Sequence, residues 1–137
     1  MTHITLAVTG SISAYKAADI TSQLGKLGYG VSVLMTEAAS HFITPLTLQV
    51  LSKNPVALDL MDEPRPDKVN HIEIGKETNL FLVAPATANT IAKLANGLAD
   101  NMVTATALAL PSHVKKVIAP AMNTKMYENP LTQHNLE

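Results

Sequence analysis

His71, in "NHIEI" at residues 70–74, is the first side chain with the chemistry of a catalyst. An imidazole with an unperturbed pKa of about 6.5 can take or give a proton at neutral pH, so His71 is a candidate base, although a lone histidine is more often structural or merely exposed. A second cluster lies in "APATANTIAKLANGLADN", residues 84–101, where Thr87, Asn89 and Thr90 gather hydrogen-bonding groups among small alanines. Asn89 both donates and accepts, which suits the edge of a heterocycle; a Thr or Asn capping a helix is the plainer alternative. "VTGSISAYK", residues 8–16, sets one glycine and two serine hydroxyls at a strand-to-helix turn. Backbone N–H groups free at such a turn favour a phosphate or other anion, against an ordinary capped turn. "PAMNTKMYENP", residues 120–130, reads as a loop whose Met122, Met126 and Tyr127 are either displaced core residues or an apolar lid, with Asn123 giving that lid one directed polar contact.

The elements that must hold these groups follow from hydrophobic periodicity. Ile4 to Val8 form an apolar run that ends at Thr9 and Gly10, the pattern of a strand buried on both faces. Ala17, Ile20, Leu24 and Leu27 then recur at helical spacing, with Ser13 as the expected N-cap and Gly28 as the stop. Val31 to Met35 repeat the buried-strand signal and complete a βαβ unit. A helix over 45–51, a short strand over 56–58, a strand over 80–84 ended by Pro85, helices over 89–94 and 102–110, and a strand over 114–119 follow. "MDEPRPDK", residues 61–68, with two prolines in three residues, is expected to be a surface loop or flap. The alternation predicts a single α/β domain over residues 1–137, a three-layer Rossmann-like (flavodoxin-like) fold with a mostly parallel central sheet. In such a sheet ligands sit beyond the carboxyl ends of the strands, which places residues 9–13, 36–40, 85–90 and 120–123 on one edge.

Composition removes several alternatives. The chain carries 10 Lys and Arg against 11 Asp and Glu, for a net charge of −1, and no basic stripe that would neutralise a phosphate backbone. Hydrophobic residues make up 47% and aromatics only 4%, so small apolar side chains must do much of the packing. Zero cysteines exclude a disulfide frame, a thiolate zinc site and a thiol nucleophile or acid within these residues, and the five histidines form no paired metal motif. With no Arg-rich leader and no long apolar stretch, the expected setting is a soluble cytoplasmic protein.

"GSISAYK", "NHIEI", "PATANT" with "GLADN", and "PAMNTKMYENP", taken in order, resemble the flavin-dependent cysteine decarboxylase family (HFCD flavoproteins) across essentially the whole chain. The match is nearest to the members that act on phosphopantothenoylcysteine. The resemblance implies an FMN-dependent carboxy-lyase that converts 4'-phosphopantothenoylcysteine to 4'-phosphopantetheine in coenzyme A biosynthesis. Residue by residue, it implies that Gly10, Ser11 and Ile12 make the first FMN-binding turn and Thr36, Glu37 and Ala38 the second. Thr87, Ala88, Asn89 and Thr90 would line the flavin, with threonine at 87 where many relatives carry serine, and Ala121 would touch it. His71 would be the catalytic base, Asn123 would hold the substrate carboxylate and Met126 would belong to the substrate clamp. It further implies a homotrimer or trimer-based higher oligomer with FMN at subunit contacts, and no metal. The family's proton-donating cysteine lies in a segment past "TQHNLE", so the chain is expected to be truncated before that segment and to stop at the enethiol stage by itself. Peptidyl-cysteine oxidative decarboxylation and a non-catalytic regulatory flavoprotein subunit are the alternatives. The related flavin prenyltransferases share the first turn but not the "NHIEI" and "PAMN" pair.

Overall fold

The computed structural model describes residues 2–58 and 77–137. His71, "NHIEI" and "MDEPRPDK" lie outside the described residues. Among the described residues five strands, β1 (His3–Val8), β2 (Gly30–Met35), β3 (Val56–Ala57), β4 (Leu80–Ala86) and β5 (Lys115–Pro120), form one sheet in the order β3-β2-β1-β4-β5. Every pairing is parallel, with Leu6 opposite Val33 on one side and Leu82 on the other. The expected α/β fold is therefore present.

The side-chain period of two explains the layers. Leu6, Val8, Val33 and Met35 face one side and pack with Ala14, Ala17 and Leu48 under α1 (Lys16–Lys26) and α2 (Pro45–Ser52). Ala7, Leu34, Phe81 and Val83 face the other, against α3 (Ala88–Asn96) and α4 (Met102–Ala109), which supply Ile91, Met102 and Val103. Leu6, Leu34, Met35, Leu48 and Phe81 are fully buried, each contributing about 1.5–3 kcal/mol of transfer free energy.

Local chemistry sets the element ends. Thr44 caps α2 by accepting from the N–H of Thr47, and Pro45 occupies the first turn, where a missing N–H costs nothing. Gly28, at φ +91°, lets the chain leave α1 and enter β2. Asn101 and Thr104 cap α4 reciprocally, side chain to backbone in both directions. Two expectations are corrected. Ser11, not Ser13, is the capping serine: its hydroxyl accepts from the N–H of Ser13 at 3.1 Å and opens a single 3-10 turn, Ile12–Tyr15, so that α1 starts only at Lys16. Pro85 does not end β4, which runs on to Ala86 across a register shift where the missing proline N–H leaves no ladder bond unmade.

α4 is buried on nearly every side, from Met102 to Ala107, and one hydroxyl within it has no partner: Thr106 Oγ1, fully buried, meets neither donor nor acceptor among the described residues. Thr106→Val keeps the shape and removes that hydroxyl, and is expected to stabilise the protein by about 1 kcal/mol, read as a higher urea midpoint at unchanged slope. No described helix is long and apolar enough to cross a membrane, and no group of three or more metal-binding side chains occurs among the described residues.

Candidate functional site

β1 feeds β2 on one side of the sheet, whereas β4 lies on the other, so the strand order reverses between β1 and β4. The carboxyl ends of those two strands open the crevice in which doubly wound sheets bind ligands. Four turns leave that edge, and each is tied to a neighbour. Thr36 N–H donates to the carbonyl of Val8 at 3.1 Å, joining the second turn to the first. The buried Thr9 hydroxyl donates to the carbonyl of Pro85 at 2.6 Å and accepts from the N–H of Thr87 at 3.1 Å, joining the first to the third. Ala121 N–H donates to the carbonyl of Ala86 at 2.9 Å, joining the fourth to the third.

The first and second turns also touch directly. A Cβ built on Gly10 falls 2.5 Å from the Cβ of Ala38 and 3.1 Å from its carbonyl carbon, so glycine is required here for space. Gly10→Ala is expected to push the two turns apart, costing about 1–3 kcal/mol of stability and weakening any ligand held between them; thermal unfolding and ligand titration check both.

The rim presents main-chain donors. Among the described residues nothing accepts from the N–H groups of Gly10, Ile12, Ala38, Ala88 or Asn89, because each lies at the start of its turn or helix where no preceding carbonyl is in place. Ala88 and Asn89 open α3, whose dipole adds positive potential. Thr87 caps that helix: its hydroxyl accepts from the N–H of Thr90 at 3.2 Å and donates to the Thr90 hydroxyl at 3.1 Å, while Thr90 is buried beneath it. Asn89 is exposed. Uncharged donors, small side chains and a glycine-tight wall form a donor set that fits a planar heterocycle bearing a phosphate.

Residues 120–130 are the largest correction to the sequence reading. Instead of a loop, Asn123 caps a short helix, α5 (Thr124–Glu128), and Asn129 caps α6 (Pro130–Leu136). Asn123 Oδ1 accepts from the N–H of Met126 at 2.9 Å. That bond orients the amide: the oxygen serves the helix, and the NH2 is left as a donor. Met126 and Tyr127 are each 45% exposed, leaving apolar area to cover something beside Asn123. Gln133 Nε2 donates to the carbonyl of Tyr127 at 2.6 Å and braces the end of α5.

Gly10, Ser11, Ile12, Thr36, Glu37, Ala38, Thr87, Ala88, Asn89, Thr90 and Ala121 thus share one edge, with Asn123 and Met126 following from it, while His71 lies outside the described residues. Thr9 was missed. Nothing in sequence periodicity separates a threonine that ends a strand from one that ties two turns. Asp100 of "GLADN" has a structural partner: Lys93 Nζ donates to both carboxylate oxygens, at 3.0 and 2.9 Å, and holds the carboxyl below its ordinary range. A groove of about 630 Å³, floored by Phe81, Ile91, Leu94 and Ile118, lies over the α3 and α4 face and includes none of the rim residues.

A family model described as Flavoprotein matches residues 1–137. A probable phosphopantothenoylcysteine decarboxylase of Streptococcus mutans serotype c is 65% identical over 133 residues, which are 97% of this chain and 74% of the relative. The coenzyme A biosynthesis bifunctional protein CoaBC of Bacillus subtilis is 46% identical over 134 residues, covering 98% of this chain but 32% of that longer protein. Among solved structures, the FMN-dependent cysteine decarboxylase SpaF superposes with a TM-score of 0.91 at 30% identity, over 99% of this chain and 77% of SpaF. A PPC decarboxylase mutant complexed with pantothenoylaminoethenethiol gives a TM-score of 0.84 at 31% identity, over 98% of this chain and 75% of that one.

Proposed function

The chain belongs to the flavoprotein family, beside the phosphopantothenoylcysteine decarboxylases it resembles, and on that premise we propose that it is a cytoplasmic FMN-dependent decarboxylase acting on 4'-phosphopantothenoylcysteine in coenzyme A biosynthesis. The observation that carries this reading is Asn123. Its amide oxygen is engaged by α5, so the NH2 is the group left to meet an incoming ligand, and its two N–H donors suit a substrate carboxylate. It stands two residues beyond Ala121, which is bonded to the third turn, so a carboxylate held there lies next to whatever fills the crevice.

In this reading the free main-chain N–H groups of Gly10, Ile12 and Ala38 would hold the FMN phosphate end, Ser11, Thr36 and Glu37 would complete the two turns around it, and Thr87 to Thr90 with Ala121 would line the flavin. When bound, FMN supplies the two-electron sink that lets a cysteine carboxylate leave as CO2 without an unstabilised carbanion. The chain's own residues do the rest. His71 accepts the proton that the substrate cysteine loses. Asn123 fixes the carboxylate, so that the bond to be broken has one orientation. Met126 and Tyr127 close an apolar cover that excludes water from the reacting thiol.

Assembly as a trimer with FMN at the subunit contacts belongs to the same proposal. Ile12 is 79% and Tyr15 63% exposed in the first turn, and Phe42 follows the second turn at 47%, a density of uncovered apolar surface beside the rim that supports burial by another copy.

The test is direct. The purified chain should be yellow with the absorption of bound FMN, and mass analysis after incubation with phosphopantothenoylcysteine should show a product that has lost CO2. A folded, colourless protein that takes up no added FMN overturns the reading. Turnover of a C-terminal peptidyl-cysteine, with phosphopantothenoylcysteine untouched, reassigns the substrate.

A further inference from the structure

Thr9 takes no place among the groups that would touch cofactor or substrate, yet it makes the densest set of long-range hydrogen bonds at the crevice. It is fully buried at the last position before the first turn. Its N–H donates to the carbonyl of Pro85 at 3.3 Å, its hydroxyl donates to the same carbonyl at 2.6 Å, and that hydroxyl accepts from the N–H of Thr87 at 3.1 Å. The partners are 76 and 78 residues away in the chain. A serine or threonine hydroxyl has one proton and can accept as well, so here both capacities are used on the third turn.

Two consequences follow from this arrangement. Where β4 shifts register, neither Pro85 nor Ala84 keeps a regular ladder partner on β1, whose pairing with β4 ends at Ala7 opposite Val83. The Thr9 side chain replaces that ladder and sets the spacing of the first and third turns. In addition, Thr87 is the capping residue of α3, and its N–H is consumed inward by Thr9, while among the described residues nothing accepts from the N–H groups of Ala88 and Asn89. Thr9 therefore decides which way the start of α3 presents its donors.

We propose that Thr9 is a positioning residue for the flavin: through its hydroxyl it fixes the distance and orientation between the turn at Gly10–Ile12 and the segment Thr87–Thr90, and thereby sets FMN affinity. This rests on the reading of the rim as an FMN site. Thr9→Val preserves volume and branching but leaves the Thr87 N–H without its partner and the Pro85 carbonyl with only the longer main-chain bond, whereas Thr9→Ser keeps the hydroxyl and loses only a methyl.

FMN titrations of the apo chain, followed by flavin fluorescence and the visible absorption band, read the effect. Thr9→Val is expected to weaken FMN binding about 10- to 100-fold and to shift the band of the bound flavin, and Thr9→Ser to stay within about threefold of the parent. A measurement on the unaltered chain keeps the test open should Thr9→Val fold poorly: in amide hydrogen exchange of the apo protein, Thr87 should be protected while Ala88 and Asn89 exchange fast, and added FMN should slow the latter two. Parent-like binding by Thr9→Val, equal losses in Thr9→Val and Thr9→Ser, or fast exchange at Thr87 in the apo protein each overturn the positioning role alone. An unaltered chain that binds no FMN overturns the proposed function, and the role of Thr9 with it.

Discussion

Asn123→Asp should fold like the parent and lose most of its turnover. Aspartate caps a helix as well as asparagine does, and its charge near the amino end of α5 is favourable, so the bond that Oδ1 makes to Met126 N–H survives. What changes is the outward group. Two N–H donors become a second carboxylate oxygen, so the substrate carboxylate loses a charge-assisted hydrogen bond worth about 1.5–3 kcal/mol and gains a like charge beside it. A loss of at least about a hundredfold in kcat/KM is expected, since each 1.4 kcal/mol is about tenfold. Circular dichroism and FMN binding should remain those of the parent. Parent-like kcat/KM in Asn123→Asp sinks the assignment of Asn123, because the only feature removed is the one that recognises a carboxylate. Asn123→Ala is the less informative variant: it deletes the cap as well, so a damaged helix and a lost contact would look alike.

His71→Asn should bind FMN normally and turn over about 10²- to 10⁴-fold more slowly, the usual contribution of a positioned acid or base. Asparagine keeps a polar side chain of similar reach but takes up no proton at neutral pH. The pH profile separates a base from a mere contact. A neutral imidazole is the active form, so kcat/KM of the parent should rise with pH through the histidine's titration and then level, while the residual activity of His71→Asn should lack that acid limb. An undiminished rate in the variant removes His71 from the mechanism.

Periodicity gave up the scaffold readily because the strands of a sheet covered on both faces are continuous apolar runs; Ile4 to Val8 and Val31 to Met35 could hardly be anything else. The turn residues were legible for a related reason. Once the strands were placed, their carboxyl ends named the four rim segments. Two things resisted. α5 is only 5 residues long and exposed, Met126 and Tyr127 included, so no apolar stripe marks it; its one local signal is Asn123 as a cap. Ties between turns resisted more deeply. The bonds of Thr9 to Pro85 and Thr87 join residues more than 70 positions apart, and single-sequence patterns carry no information on which buried hydroxyl meets which carbonyl. The choice of Ser11 over Ser13 as the cap is the same difficulty at short range, decided by one 3-10 turn ahead of α1.

The bond from Ala121 N–H to the carbonyl of Ala86 involves main chain only. Beyond it Met122 packs on the core beside Ala86, and Asn123, Met126 and Tyr127 follow, so these three take no part in that anchorage. Cofactor binding and substrate choice are in that sense separable inheritances. Substitutions over residues 123–127 are expected to redraw which carboxylate-bearing molecule is gripped, while the main-chain tie at Ala121, and the turns proposed to hold the heterocycle, stay where they are.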